Sequence, residues 1–298
     1  MHHHLSWLEA GIVGVVQGVS ELFPVSSLGH AVLLPALVGG SWQRDLDVSS
    51  PESPYLAFIV GMHVATAIAL IVYFWRDWVR IIGGLATSIW RREVRTSDQR
   101  LAWLLVLATV PVGLTGLVAE HWFRTTLAKP VPTAIFLAVN GLILVAVGTW
   151  FRSPAGEQYV DERVSGPASD ERLARLPVRE AAAIGAAQIL ALAPGISRSG
   201  ITLVGGLVRG LSKEDAARFS FLLATPVILA AGVLKLGDLA GPLGDGVRAQ
   251  VLFGSLLAGI GAYLSVRFLT RYLATRSVRP FGIYCVLGGL ISLVVLAS

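Results

Sequence analysis

Charge is scarce in this chain. Only 14% of its 298 residues are Asp, Glu, Lys or Arg, against 54% apolar residues, and the mean hydropathy is +0.68. Soluble domains carry about 25% charged residues, so this scarcity excludes the ordinary soluble class and points to a polytopic membrane protein. Cysteine is nearly absent. The one present, Cys285, excludes an intrachain disulfide framework and any multi-cysteine metal site; it lies in an apolar run and reads as inert core. No Walker lysine motif occurs, which argues against nucleotide hydrolysis. The first apolar run lacks a basic flank, so no cleavable signal peptide is expected. His2 to His4 follow the initiating Met and are set aside as a tag-like run. The net charge of +5 resides mostly in loops between apolar runs, so topology explains it better than nucleic acid does.

What the sequence does contain is long apolar runs. Full spans are expected at 55–75, 101–119, 131–151, 219–236, 251–269 and 280–296, each near the 20 residues needed to cross the hydrocarbon core. Residues 40–54 read as a polar loop, 152–179 as a charged central linker, and Ile81 to Ile89 as an interfacial stretch.

Two further apolar stretches are interrupted. In the first, 7–39, the motif Gln17-Gly-Val-Ser-Glu-Leu-Phe-Pro-Val-Ser-Ser-Leu-Gly-His30 separates two runs too short to span. The second, 180–211, contains Ala193-Pro-Gly-Ile-Ser-Arg-Ser-Gly-Ile-Thr202. Irregular backbone at membrane depth is tolerated only against protein or a water-filled cavity. An ionisable group there marks a functional site by default. Gln17 and Glu21 are four apart and share a helix face. Glu21 suits a general base or a ligand for Mg²⁺ or Ca²⁺; its structural alternative is a hydrogen-bonded neutral acid. Ser26, after Pro24, reads chiefly as a helix cap. Ser27 and His30 are three apart and fit a nucleophile with its base. Around Arg198, Gly195 and Gly200 permit tight backbone with free amides, and Ser197, Ser199 and Thr202 add hydroxyls. This is a phosphate-binding composition at a helix start, unless Arg198 serves as a structural ion-pair partner of Glu21. His63 lies mid-span as a core or supporting histidine. Asn140 and Gln188 read as interhelical hydrogen-bond groups.

The loops 76–100, 152–179, 209–218 and 267–279 hold 6, 5, 3 and 4 lysines and arginines. They fall on one face only if both broken segments are re-entrant, which puts both termini outside. The halves also resemble each other: Glu9-Ala10, Gly14 and Gln17 recur at equal offsets as Glu180-Ala181, Gly185 and Gln188. One hairpin plus three spans per half makes the second half inverted. The expected fold is thus an all-α polytopic membrane protein of six full transmembrane helices and two re-entrant helical hairpins in an inverted-topology repeat. Residues 1–151 form the first repeat, 152–179 a cytoplasmic linker and 180–298 the second. Inverted repeats with broken helices are a transporter architecture, so a transport function stays open at this point.

With both motifs in view, the chain resembles the bacterial undecaprenyl-diphosphate phosphatase family of the bacitracin-resistance type. Gln17 to Glu21 is similar to that family's Glu/Gln-x-x-x-Glu motif, followed by Phe-Pro-Val-Ser-Ser and His30. Pro194 to Thr202 is similar to its Pro-Gly-x-Ser-Arg-Ser-Gly-x-Thr motif. Phe219-Ser-Phe-Leu-Leu-Ala and Tyr73-Phe-Trp-Arg76 agree as well. The resemblance covers nearly the whole chain. It implies a multi-pass enzyme of the bacterial plasma membrane, open to the outer face, that converts undecaprenyl diphosphate to undecaprenyl phosphate with a divalent cation, Mg²⁺ or Ca²⁺. It implies catalytic roles for Glu21, Ser27, His30 and Arg198, metal ligation by Glu21, and substrate binding by Gln17, Ser26, Ser197, Ser199, Gly200 and Thr202. Gln17 stands where glutamate is more usual, and His63 where glutamine is expected in many members. The expected partners are the polyprenyl diphosphate and membrane lipids, with no nucleic acid and a homodimer as an admissible state. The nucleophile stays open among Ser27, His30 and water.

Overall fold

The computed structural model describes residues 5–47, 54–151, 162–240 and 246–298. His2 to His4, part of the 40–54 loop and the start of the central linker lie outside these residues. Among them the fold is all helix, with no strand.

The first broken segment is two short helices, α1 (Trp7–Ser20) and α2 (Ser27–Val38), of 14 and 12 residues. Neither crosses 30 Å of hydrocarbon alone. A Ser6–Glu9 capping box starts α1. A six-residue helix, α3 (Gly40–Asp45), lies inside the expected loop. The helices α4 (Pro54–Tyr73), α5 (Trp75–Arg91), α6 (Ser97–Trp122) and α7 (Pro130–Trp150) complete the first half. After α8 (Glu162–Ala174), the second broken segment comprises α9 (Val178–Ala187), a 3-10 turn (Gln188–Leu192) and α10 (Arg198–Val208). It is followed by α11 (Lys213–Ala240), α12 (Arg248–Thr275) and α13 (Arg279–Ala297).

Among the described residues, five helices are long and apolar enough to cross a membrane, in α6, α7, α11, α12 and α13; a sixth span is obtained if a bent pair counts as one. That pair is the change from expectation. The 55–75 span stops at Tyr73, and the chain turns 90° into α5. The expected interfacial stretch 81–89 is the later part of this 17-residue helix. Its Val79, Ile82 and Ile89 are exposed while Ile81 and Gly84 are buried. The central linker also holds more structure than its composition suggested: α8 docks against α6 and α11.

Small residues let the broken segments lie close to their neighbours. A Cβ on Gly14 would sit 2.4 Å from the Gly254 carbonyl oxygen of α12, and one on Gly185 2.0 Å from that of Ala108 in α6. Only glycine permits such backbone contact. These two contacts set α1 against α12 and α9 against α6, and so decide where the interrupted ends project.

Candidate functional site

The two interruptions meet. Glu21 lies one residue beyond α1, and Arg198 is the first residue of α10. Arg198 Nη2 donates to Glu21 Oε1. Ser27, at the start of α2, donates its hydroxyl to Glu21 Oε2, and Gln17 Nε2 donates to the same oxygen at 2.9 Å. His63 of α4 brings Nε2 to 3.2 Å from it. One buried carboxylate therefore collects groups from both broken segments and from α4.

The scaffold around it is built from the remaining polar residues. Ser26 caps α2, accepting from Gly29 N at 3.2 Å, and its Oγ also accepts from Gly195 N and donates to Ile196 O across the junction. Ser26 holds φ at +68°, an unfavourable region for a residue with a Cβ; the three bonds offset that cost. Asn140 of α7 ties the two hairpin tips together. Its Nδ2 donates to Pro24 O at 3.1 Å, and its Oδ1 accepts from Ser197 N at 3.0 Å. Ser199 donates to Phe23 O. Gly195, at φ +106°, abuts the Thr133 carbonyl of α7, where a Cβ would come within 2.4 Å.

Gln17, Glu21, Ser27 and Arg198 are thus brought together, and His63 joins them. Ser26 sits beside them in the capping role read from its position. Other expectations change. The amides of Gly195, Ser197 and Gly200 are not free for an anion, because Ser26, Asn140 and Ser197 already accept from them. Thr202 donates to the Arg198 carbonyl one turn back, and Ser197 caps α10. In the structure, these groups hold the loop that presents Arg198. Gln188 makes no interhelical bond: Nε2 reaches Gly185 O at 3.4 Å, and Oε1 is buried with no partner among the described residues.

His30 does not face Ser27. Its Nδ1 lies 2.7 Å from Ser26 O, and its Nε2 lies 2.8 Å from the Tyr284 hydroxyl of α13, with the two rings stacked. A carbonyl only accepts, so Nδ1 carries a hydrogen. In the neutral ring Nε2 is then the lone-pair nitrogen, and Tyr284 donates to it. The same logic gives His63 a hydrogen on Nδ1, bonded to Ile59 O at 2.8 Å. His63 Nε2 then accepts from Gln17, 3.4 Å away, when neutral and donates to Glu21 when protonated.

Sequence reading missed Tyr284 and left the parts played by His63 and Asn140 incomplete. His63 had only its mid-span position to signal it. Tyr284 gave no signal among the residues of its span. Asn140 was legible as a hydrogen-bonding residue, but not as the link between tips.

Residues 10–291 match the family model described as bacitracin resistance protein BacA. The chain is 61% identical to the undecaprenyl-diphosphatase of Mycolicibacterium paratuberculosis, over 100% of this chain and 99% of the relative. It is 49% identical to undecaprenyl-diphosphatase 1 of Frankia casuarinae, covering 97% and 98%. With undecaprenyl-diphosphatase 2 of Chromobacterium violaceum the identity is 43%, covering 96% and 97%.

Proposed function

This chain belongs to the bacitracin resistance protein BacA family and is an undecaprenyl-diphosphatase, and from that premise we propose that its two interrupted segments form one active site. The carrying observation is the convergence of Arg198, Ser27, Gln17 and His63 on Glu21. Bacitracin resistance fits the family, and the transporter or flippase reading is not favoured by relatives named as diphosphatases.

Arg198 binds the terminal phosphate through its planar fork. The substrate competes with Glu21 for that guanidinium, so binding loosens the resting ion pair and leaves Glu21 better able to take a proton. Ser27 Oγ attacks the terminal phosphorus while its proton passes to Glu21, the acceptor to which it is already bonded. The P–O bond to the inner phosphate breaks, and undecaprenyl phosphate leaves. Water then cleaves the phosphoserine ester and releases inorganic phosphate. Positioning and charge stabilisation do most of the work in such transfers. His30 is disfavoured as nucleophile or base, because its Nε2 is directed to Tyr284 and not to Ser27.

Among the described residues no three His, Cys, Asp or Glu side chains cluster for a metal. The donor set suits a cation that takes one carboxylate, Glu21, with the Ser27 hydroxyl, and fills its other positions with diphosphate oxygens and water, the usual manner of Mg²⁺. Such a cation, Mg²⁺ or Ca²⁺, would be held by Glu21 and the Ser27 hydroxyl and would neutralise phosphate charge.

The finer architecture belongs to the same reading: repeats 1–151 and 180–298, re-entrant hairpins 7–39 and 180–211, six spans, and a site open to the outer face. It is supported by the way contacts exchange between halves. α1 on α12 mirrors α9 on α6, α2 on α13 mirrors α10 on α7, and α4 packs on its counterpart α11 as α7 does on α13. The equally offset Gly14 and Gly185 make the matching backbone contacts.

The test is phosphate release from undecaprenyl diphosphate by detergent-purified protein, Glu21→Ala and Arg198→Ala. Loss of release in both variants, with the folded state retained, supports one site built from both hairpins. Normal release by either variant overturns it.

A further inference from the structure

We propose that the Arg-bearing end of α12 holds the phosphate of an anionic phospholipid, at a site separate from the catalytic junction. A shallow, open recess of about 430 Å³ lies there along the surface of α12 and its C-cap, lined by Leu264, Arg267, Phe268, Arg271, Tyr272 and Arg276 among others. Arg267 and Arg271 stand one turn apart on the same helix face, where like charges repel. No carboxylate among the described residues pairs with Arg267, Arg271 or Arg276. By contrast, Arg80, Arg172 and Arg218 are each bound to aspartates. The recess is thus a concentration of cations that the fold itself does not neutralise.

The apolar residues beside these arginines on α12 say what kind of anion fits. α12 is one of the helices able to cross a membrane. Leu256, Ile260, Leu264 and Phe268, spaced four apart, form an exposed apolar ridge along it. The ridge runs into the arginine recess. A ligand that fills both must be hydrocarbon along the helix and anionic at its end. An acidic peptide would have to place polar backbone in lipid, which is costly. A phospholipid places its chain on the ridge and its phosphate among guanidinium forks that match phosphate geometry.

The recess also backs onto the first hairpin. Phe268 stacks on Phe23, two residues beyond Glu21, with centroids 5.9 Å apart, and on Tyr272 at 5.4 Å. Phe23 O in turn accepts from Ser199. A lipid resting on Phe268 and Tyr272 steadies the wall that supports the hairpin tip, so occupancy raises turnover without entering the catalytic junction.

The test uses the full chain in neutral detergent, wild type and the combined variant Arg267→Gln, Arg271→Gln and Arg276→Gln. Native mass spectrometry follows the retention of added phosphatidylglycerol, phosphatidylcholine or undecaprenyl phosphate. The expected result is phosphatidylglycerol retention lowered at least tenfold in the variant and phosphatidylcholine retention equal in both proteins. Phosphate release in neutral detergent should be the same for both, with stimulation by phosphatidylglycerol in the wild type alone. The single variant Arg271→Gln should show an intermediate loss, which guards against misfolding of the triple variant. Equal phosphatidylglycerol retention by wild type and variant overturns the proposal. So does arginine-dependent retention of undecaprenyl phosphate with none of phosphatidylglycerol, which would make the recess a product site.

Discussion

Arg198 and Glu21, 177 residues apart in the chain, form an ion pair where the two interrupted segments meet. Glu21 is buried and Arg198 largely so, and in the proposed reaction each takes a second role once substrate arrives. Arg198→Ala should lower kcat/KM by roughly 10²–10³, the cost of losing a donor aimed at developing charge. Arg198→Lys should recover only part of this, since an ammonium lacks the planar fork. Steady-state kinetics with a thermal melt on each variant separates catalysis from folding.

Ser27 and His30 can be told apart through Tyr284. Ser27→Ala should abolish turnover. Tyr284→Phe removes the hydroxyl facing His30 Nε2 and should change kcat only a few-fold if Ser27 attacks. A large change in kcat for Tyr284→Phe, with turnover surviving in Ser27→Ala, would instead assign the attack to His30.

Asn140 should matter for stability and activity together. Asn140→Ala leaves Ser197 N buried without its acceptor and Pro24 O with only the weak Cys285 thiol donor at 3.8 Å. Unsatisfied buried groups cost about 1–3 kcal/mol each, so a loss of about 2–4 kcal/mol is expected in detergent unfolding. Turnover should fall as well, because the hairpin tips lose their register. An unchanged melt would show that the bridge carries no load.

A second ionic cluster, away from the junction, should affect stability alone. Arg218 makes two hydrogen bonds to Asp170 of α8, at 2.8 and 3.0 Å, and pairs with Asp77 of α5 at 3.0 Å. Removing one partner of a buried pair costs about 3–5 kcal/mol. Arg218→Ala should melt earlier, while the protein that stays folded keeps the wild-type kcat.

Chelation tests the cation. Phosphate release should fall in excess chelator and return with Mg²⁺ or Ca²⁺. Glu21→Gln keeps the side chain's shape but removes its charge, and added cation should not restore it. Full activity in chelator would remove the cation from the mechanism.

Several parts of this protein were legible in the chain. The i, i+4 spacing of Gln17 and Glu21 put both on one face, and they bond at 2.9 Å. Ser26 after Pro24 announced a cap, and it caps. The shortness of the apolar runs around each motif foretold interrupted helices. These are local properties, decided by helix periodicity, capping chemistry and the length of a run against the thickness of a bilayer. The 90° turn after Tyr73 and the helix inside the central linker were not legible, because each depends on what the segment packs against.

The amino-acid sequence by itself determined the class of the protein, the two polar interruptions and the residues available for phosphate chemistry. Only the tertiary structure decided which of those residues face one another. Ser27 turns to Glu21 and not to His30, the serines around Arg198 hold its loop together, and His63 enters from α4, outside both interrupted segments. The physical reason is that these pairings follow from how closely helices approach at Gly14 and Gly185 and from the bridge at Asn140. Such contacts join positions far apart in the chain, and no local spacing encodes them.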